Sequence, residues 1–339
     1  MSKSRRSTVY VIGAGFSAGL GFPTIKTLLP TVWGRLESSD ADRLAAIIRF
    51  HHPDFDPSVA NTFPNIEQLL SEMKANEELF PASRPATGNF TVGRLRTRRK
   101  RLLLAIAEWF HSIQSDALSA TPDWLTKISD RMHSENAQII SFNWDLVLDQ
   151  LLFGDHLSPR SYGLAKGGSG PRLIKPHGSL NWYERASGKR LKADKTFPLF
   201  GTGKNAVVAF KPYRAPISSR RRYMPLIVPP VFNKDFTDPL FQPLWREAVS
   251  VLSTASQVNF LGFSLADADF HARFILRCGF HNQTDGELLA ARKRSKPTGC
   301  AKVVVVDPLR QSRENIARVV GWPIEQHDMT VEDWVGTWS

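Results

Sequence analysis

Residues 8–23 read TVYVIGAGFSAGLGFP, and this stretch decides the fold. The apolar run Val9 to Gly13 predicts a short buried strand, and the glycines predict a tight turn into a helix. Gly13, Gly15 and Ala18 match the pattern G-x-G-x-x-G/A, which lets a backbone approach a pyrophosphate at the beginning of a helix. A plain strand-to-helix turn is the alternative, because three small residues alone are a weak signal.

Five further apolar runs predict strands along the rest of the chain. They are Gln138 to Phe142, Arg172 to Lys175, Pro225 to Val228, Val258 to Gly262 and Lys302 to Asp307. Most are almost continuously apolar, as expected of parallel strands that are covered on both faces. Because amphipathic stretches separate them, the sequence predicts the α/β class with a Rossmann-like parallel sheet.

Two interruptions divide this predicted sheet. Residues 24–136 read mainly as helices, with examples at Asp40 to Phe50 and Arg94 to Ser115, and predict a large helical insertion. We therefore expect a nucleotide-binding core built from residues 1–23 and 137–339. Within the core, residues 184–223 are rich in Gly, Lys, Arg, Pro and Ser, and they predict a mobile loop or a small lobe.

The residues after the first turn disfavour a hydride-transferring dehydrogenase. Such enzymes carry an acidic residue about twenty positions after the glycines, at the end of a second strand. Glu37 and Asp40 have that spacing, but the preceding segment TIKTLLPTVWGRL predicts a helix. The sequence therefore predicts no strand at whose end a ribose-binding carboxylate of that class could lie.

The formal net charge of +12 is concentrated in three basic runs. These are Arg94 to Arg101, Arg220 to Arg222 and Arg292 to Lys296. Such runs fit nucleic-acid phosphates, an acidic protein face or a plain solvated surface, and the sequence leaves the three open. Aromatic residues are not interleaved with the arginines, which disfavours a platform for stacking single strands.

Cysteine content and hydropathy limit the class of protein further. Cys278 and Cys300 are the two cysteines, too few for a four-thiolate zinc site, so we expect no metal. No stretch approaches the roughly 20 apolar residues that a membrane span needs. The N-terminal MSKSRRSTVY lacks a long apolar region of the secretory kind. We expect a cytoplasmic protein without membrane contact.

Several separated motifs together resemble the sirtuins, and they follow the sirtuin order. The matching segments are GAGFS with GFP at 13–17 and 21–23, Asn143-Trp144-Asp145, His177-Gly178, IVPP at 227–230, GFS at 262–264 and VVVVDP around Asp307. The resemblance implies a domain that binds NAD. It places Gly13, Ala14, Gly15, Ser17, Pro23, Gly262, Ser264 and Asp307 at the cofactor, with Asp307 on the strand that receives the adenosine.

The departures from the sirtuin pattern indicate the branch. Where protein deacylases of the family carry Asp-Phe-Arg, this chain has Thr24-Ile25-Lys26, and it lacks the four-cysteine zinc module. The helical insertion, the Asn-Trp-Asp form and GFSLADAD at 262–269 are more similar to the bacterial sirtuin-like domains of anti-phage defence systems. That resemblance implies hydrolysis of NAD to nicotinamide and ADP-ribose, or to a cyclic isomer, rather than lysine deacylation.

The expected chemistry gives each catalytic candidate a role. Cleavage of the nicotinamide bond passes through a cation on the ribose, so it needs positioning, charge stabilisation and a base. Histidine side chains ordinarily exchange a proton near neutrality, so His177 is the candidate base. Asn143 would hold a ribose hydroxyl or the attacking water, and Asp145 would accept from the nicotinamide carboxamide. Ser17 would face phosphate or ribose.

Other interpretations of these residues remain open. His177 also fits a structural histidine, and Asn143 also fits a cap on the helix that begins in WDLVLDQLL. A non-catalytic sensor of NAD or ADP-ribose and a basic nucleic-acid-binding module are the two alternative functions. For an active hydrolase the resemblance implies control by a homo-oligomer or by a companion, such as a ring-forming helicase-like ATPase or an Argonaute-type protein. The run Arg94 to Arg101 is the predicted contact.

Overall fold

The computed structural model describes most of the chain. The described residues are 7–83, 88–165, 169–185, 196–200, 207–210, 223–227, 240–266, 269–284 and 300–338. They contain ten strands and eleven α-helices. The basic runs Arg220 to Arg222 and Arg292 to Lys296 lie outside the described residues, as does most of the predicted lobe at 184–223.

Strands fall into two sheets. Their bounds are β1 Thr8–Ile12, β2 Gln138–Ser141, β3 Arg172–Ile174, β4 Gly178–Arg185, β5 Thr196–Phe200, β6 Val207–Phe210, β7 Tyr223–Ile227, β8 Gln257–Leu261, β9 Lys302–Val306 and β10 Glu325–His327. The larger sheet has six strands in the order β10-β9-β8-β1-β2-β3, and every neighbouring pair is parallel. The predicted α/β class with a Rossmann-like parallel sheet is therefore confirmed.

The apolar runs form strands because both faces of the large sheet are covered. In β1 the side chains from Val9 to Ile12 have no exposed surface, and β9 is buried from Val303 onward. Continuous β-branched sequence suits such positions, since neither face needs a polar side chain. The edge strand β10 is short and mostly exposed, and its sequence Glu-Gln-His carries no apolar signal for a strand.

Helices fill both the first interruption and the second half of the core. Their bounds are α1 Ala14–Ala18, α2 Ile25–Trp33, α3 Ser38–His51, α4 Ile66–Ser83, α5 Val92–Ser119, α6 Asp123–Glu135, α7 Val147–Phe153, α8 Phe241–Ser253, α9 Phe270–Thr284, α10 Arg310–Val320 and α11 Val331–Gly336. Both helices predicted in the insertion are present, each slightly longer than predicted. In the described chain, no helix combines the length and apolarity needed to cross a membrane.

One predicted strand belongs to the second sheet instead of the parallel one. Residues 225–227 of the run Pro225 to Val228 fall in β7, which pairs antiparallel with β4 in a sheet of order β5-β6-β4-β7, and Val228 lies outside the described residues. Proline has no N–H to donate to a neighbour, so it is tolerated mainly in edge strands. Among the described strands, β7 and β5 are the edges of this sheet, and Pro225 and Pro198 occupy them.

The basic run of α5 is paired within the insertion. Arg98 and Arg101 each contact a carboxylate oxygen of Asp40 on α3. Arg99 donates to both carboxylate oxygens of Glu77 on α4, at 2.7 and 3.1 Å. The Glu77 side chain is only 1% exposed. These arginines therefore hold α5 against α3 and α4.

Removing the Glu77 carboxylate should destabilise the insertion. The change Glu77→Ala leaves Arg99 without its buried counter-charge, and we expect a loss of about 3 kcal/mol in the free energy of unfolding. Urea unfolding measures it. The control Glu314→Ala breaks an exposed pair with Arg310 on α10, and should cost less than about 1 kcal/mol. Equal effects of the two changes would contradict the structural role of the run.

Candidate active site

A pocket lies at the carboxyl ends of β1, β2 and β8. The chain runs outward from β1 through β2 to β3 on one side, and from β8 through β9 to β10 on the other. Parallel α/β sheets bind ligands at such a switch point, where the strand order reverses. The cavity encloses about 790 Å³, a volume that includes space open to solvent.

Two glycine turns meet at this switch point. A Cβ atom on Gly13 would stand 2.6 Å from the Gly262 carbonyl oxygen, and one on Gly262 would stand 2.3 Å from the backbone of Gly15 and Phe16. Gly262 also has a φ of +58°, which glycine adopts without strain. The turn after β1 and the turn after β8 are thus in direct backbone contact, which larger residues would prevent.

The same contact uses the N–H groups of two of the glycines. The Gly13 N–H donates to the Leu261 carbonyl at 3.2 Å, and the Gly15 N–H donates to the Gly262 carbonyl at 2.8 Å. Both donors are therefore used between the turns. Gly13 and Ala14 line the pocket, whereas Gly15 and Gly262 lie outside its lining and contact each other.

Three of the predicted polar residues form one hydrogen-bonded cluster. The Ser17 hydroxyl donates to Asp145 Oδ2 at 2.8 Å. Asn143 Nδ2 donates to the Gly13 carbonyl at 3.0 Å and to Ser17 Oγ at 3.3 Å. Ser17 and Asp145 are buried. The cluster joins the turn after β1 to the turn after β2 although the residues are more than 120 positions apart in sequence.

The alternative role of Asn143 as a helix cap is wrong. Its side chain points to Gly13 and Ser17, and the N–H of Val147, the first residue of α7, donates to Asp145 Oδ1 at 3.1 Å. Burial raises the pKa of Asp145, against the opposing effect of the nearby Lys175 ammonium and the Ser17 hydrogen bond. Each carboxylate oxygen of Asp145 thus has one donor from the protein.

His177 reaches the same pocket from the turn between β3 and β4. Its ring is buried and meets Phe142 edge-on, with ring centroids 4.9 Å apart. Phe142 in turn stacks on Phe263, from the glycine turn after β8. His177 Nε2 lies 3.5 Å from Asp269 Oδ2. The aromatic pair fixes one side of the imidazole, and a carboxylate lies at the other.

The helical insertion supplies the apolar wall of the pocket. Its lining residues are Ile25 and Leu28 of α2, Ile66 and Glu67 of α4, and Phe110 of α5. Phe22 packs edge-on against Phe110 with ring centroids 5.2 Å apart. Glu67 is the acidic residue that the insertion contributes. The pocket therefore has a polar side from the core and an apolar side from the insertion.

The remaining predicted cofactor residues divide between the pocket and its surroundings. Pro23 and Ser264 line the cavity. Asp307, at the end of β9, lies outside it and organises the beginning of α10: its Oδ1 accepts from Leu309 N at 2.8 Å, and its carbonyl accepts from Arg313 Nη1 at 2.6 Å. Burial raises the pKa of the Asp307 carboxyl. The adenosine role of Asp307 stays a prediction.

Sequence reasoning missed several lining residues. Asp269 lies within the motif GFSLADAD, and its acidic side chain in that motif was the feature that could have identified it as a lining residue. Phe142 and Phe263 each stand beside a motif residue and looked like ordinary core aromatics. Glu67 carried no signal, because nothing in its helix marks the side that faces the pocket.

Comparison with protein-family models and with curated proteins finds no match. Similar solved structures include Sir2Tm bound to a propionylated peptide, 15% identical over 98% of this chain and 92% of that chain, at a TM-score of 0.39. A second is a Sir2 complex with a p53 peptide and NAD⁺, 14% identical over 98% of this chain and 92% of that chain, at a TM-score of 0.40. Such a likeness decides nothing about activity, so the function has to be inferred from the pocket.

The contact between the glycine turns should be intolerant of any side chain. For Gly262→Ala we expect a loss of more than about 3 kcal/mol in the free energy of unfolding, because the new methyl group overlaps backbone that cannot move aside. Gly321→Ala is the matched control. Gly321 also has a positive φ, of +83°, but open space around it, so the loss should stay near 1–2 kcal/mol. Indistinguishable losses in thermal or urea unfolding would refute the close contact.

Proposed function

We propose that this chain is a sirtuin-like NAD glycohydrolase, which cleaves the nicotinamide glycosidic bond of NAD. The observation that carries the proposal is the convergence of Ser17, Asn143, Asp145 and His177 on one pocket at the switch point of the sheet. They come from three separate segments, which follow β1, β2 and β3, and they are among the polar residues that the sirtuin resemblance selects.

The chemistry of the bond fits what the pocket offers. Nicotinamide leaves as a neutral molecule, so no strong acid is required, and positive charge develops on the ribose in the transition state. Asp145, Asp269 and Glu67 all line the cavity and favour positive charge within it. The partly closed apolar wall strengthens these interactions because it lowers the local dielectric.

We assign the roles from the hydrogen bonds already made. Both bonds of Asn143 use its amide nitrogen, so Oδ1 is the atom that we expect a ribose hydroxyl or the attacking water to reach. Asp145 accepts from the carboxamide of nicotinamide, in addition to Ser17. His177 is the base that removes a proton from water or from a ribose hydroxyl, and Asp269 lies where it can stabilise the imidazolium that results.

We further propose that the enzyme is an effector of bacterial anti-phage defence, under the control of a homo-oligomer or of a companion such as a helicase-like ATPase or an Argonaute-type protein. The support is the sequence resemblance and the hazard that an unrestrained NAD hydrolase poses to its own cell. The internal pairing of Arg98, Arg99 and Arg101 argues against these three as the contact. Reversing their charge would test the stability of the insertion instead.

Activated wild-type protein should convert NAD to nicotinamide and ADP-ribose or a cyclic isomer, which chromatography separates. His177→Ala and Asn143→Ala should each lower kcat by about 10²- to 10⁴-fold, because one removes the base and the other the orientation of its target. His133→Ala is the control, since this histidine is exposed on α6. Peptide deacetylation without free NAD turnover, or near-wild-type rates in either pocket variant, would refute the assignment.

Turnover should depend on assembly. If an oligomer or a companion holds the active form, the specific activity should rise with protein concentration or on addition of the companion. NAD turnover measured from nanomolar to micromolar protein, beside sedimentation of the same samples, tests this. A monomer that hydrolyses NAD at full rate at every concentration, with no response to the companion, would remove the partner proposal and leave the hydrolase proposal intact.

A further inference from the structure

A single buried lysine connects the two catalytic turns. Lys175 follows β3, two residues before His177, and its side chain is 1% exposed. Its ammonium donates to the Asp145 carbonyl at 2.7 Å, to Asp149 Oδ2 at 3.0 Å and to Ser179 Oγ at 2.7 Å. An ammonium has three donors, so these acceptors use all of them.

These contacts tie together the residues on which the proposed reaction depends. The Asp145 carbonyl belongs to the turn that also carries Asn143, whereas Lys175 and Ser179 flank His177 on either side. A second bond runs in parallel, since the Leu180 N–H donates to the Trp144 carbonyl at 3.1 Å. The turn after β2 and the turn before β4 are therefore held at a fixed separation.

Both carboxylate oxygens of Asp149 are hydrogen-bonded, one of them to Lys175. The other carboxylate oxygen of Asp149 accepts from the Tyr162 hydroxyl, and Tyr162 accepts from Asn181 Nδ2 at 2.9 Å. Lys175 and Asp149 are each 1% exposed. Buried ion pairs of this kind are often replaceable by apolar residues at no cost in stability. Stability alone therefore does not account for a lysine at this position.

We propose that Lys175 is a positioning residue for the proposed NAD cleavage: its ammonium fixes the Asn143-to-Asp145 turn against the His177 turn. The inference rests on the proposed function for its catalytic meaning and on the three hydrogen bonds for its geometry. Lys175 does not line the cavity, so it acts through Asp145 and His177, which do.

The charge of Lys175 has a second effect, on Asp145. Burial raises the pKa of Asp145, and the ammonium opposes that rise more strongly than Asp149 adds to it. The other titratable groups of the pocket are Glu67, His177 and Asp269. Removing Lys175 and Asp149 together should raise the pKa of Asp145 further. Its carboxylate then protonates at a higher pH, and the acidic limb of the activity profile moves upward.

Two paired substitutions separate positioning from charge. Lys175→Met with Asp149→Asn, the Met pair, removes the three ammonium donors of Lys175. Lys175→Gln with Asp149→Asn, the Gln pair, keeps an amide donor at position 175 that can reach the Asp145 carbonyl. We expect kcat to fall about 10- to 100-fold in the Met pair and clearly less in the Gln pair, with smaller changes in KM. In both pairs the acidic limb should move to higher pH than in the wild type.

The control removes an ion pair at the opposite end of β3, Arg172→Met with Glu247→Gln, neither residue of which lines the pocket. It should leave kcat and the acidic limb unchanged. A folded Met pair with the wild-type kcat and pH profile would overturn the proposal. Equal loss in the Met and Gln pairs, without movement of the acidic limb, would also overturn it. If the Met pair does not fold, the Gln pair tests the proposal, and an acidic limb at the wild-type pH in the Gln pair would overturn it.

One measurement is independent of NAD turnover. The carboxyl carbon of Asp145 can be titrated by NMR in the wild type and in the Gln pair, with Asp145→Asn for assignment. An upward shift of the Asp145 pKa in the Gln pair supports the role of Lys175 even if the wild type cleaves no NAD, an outcome that would refute only the proposed function. An unchanged pKa would overturn the charge effect of Lys175.

Discussion

The contact between the turns after β1 and β8 is the constraint on which the site depends. Gly13, Gly15 and Gly262 bring two backbones so close that no Cβ fits between them. This contact lies beyond the carboxyl ends of the paired strands β1 and β8, where the strand order reverses. Ser17 and Phe263, one from each turn, then face the same cavity. Backbone packing between the two turns therefore determines the shape of the pocket, independently of the chemistry of its side chains.

Polar groups in the pocket are held in place by one another. Asp145 receives Ser17 on one oxygen and the Val147 N–H on the other, and Asn143 spends its amide donors on Gly13 and Ser17. Burying these groups costs solvation, and the mutual hydrogen bonds recover much of it. What results is a set of dipoles fixed before a ligand arrives. Such a site stabilises developing charge without reorganising during the reaction.

The parts of the molecule predicted from sequence are those that local pattern determines. Continuous apolar runs identified β1, β2, β8 and β9, and short motifs identified the polar cluster, because each signal lies within a few neighbouring residues. Contacts between distant segments left no such signal. Arg98 pairs with Asp40 from 58 positions away, and Glu67 faces the pocket only because α4 packs beside α2 and α5. The sequence shows the run of arginines, but it does not show which carboxylates pair with them.

The insertion consequently belongs to the site, and its charges serve the wall of the pocket. Arg98 and Arg101 share Asp40, and Arg99 holds Glu77, so the helix that contributes Phe110 is anchored by ion pairs whose carboxylates are buried. An acidic partner or a phosphate backbone that competes for these arginines must first leave Asp40 and Glu77 without their counter-charges, which is costly at such burial. Because α5 also contributes Phe110, these ion pairs link the basic run to the apolar wall of the pocket.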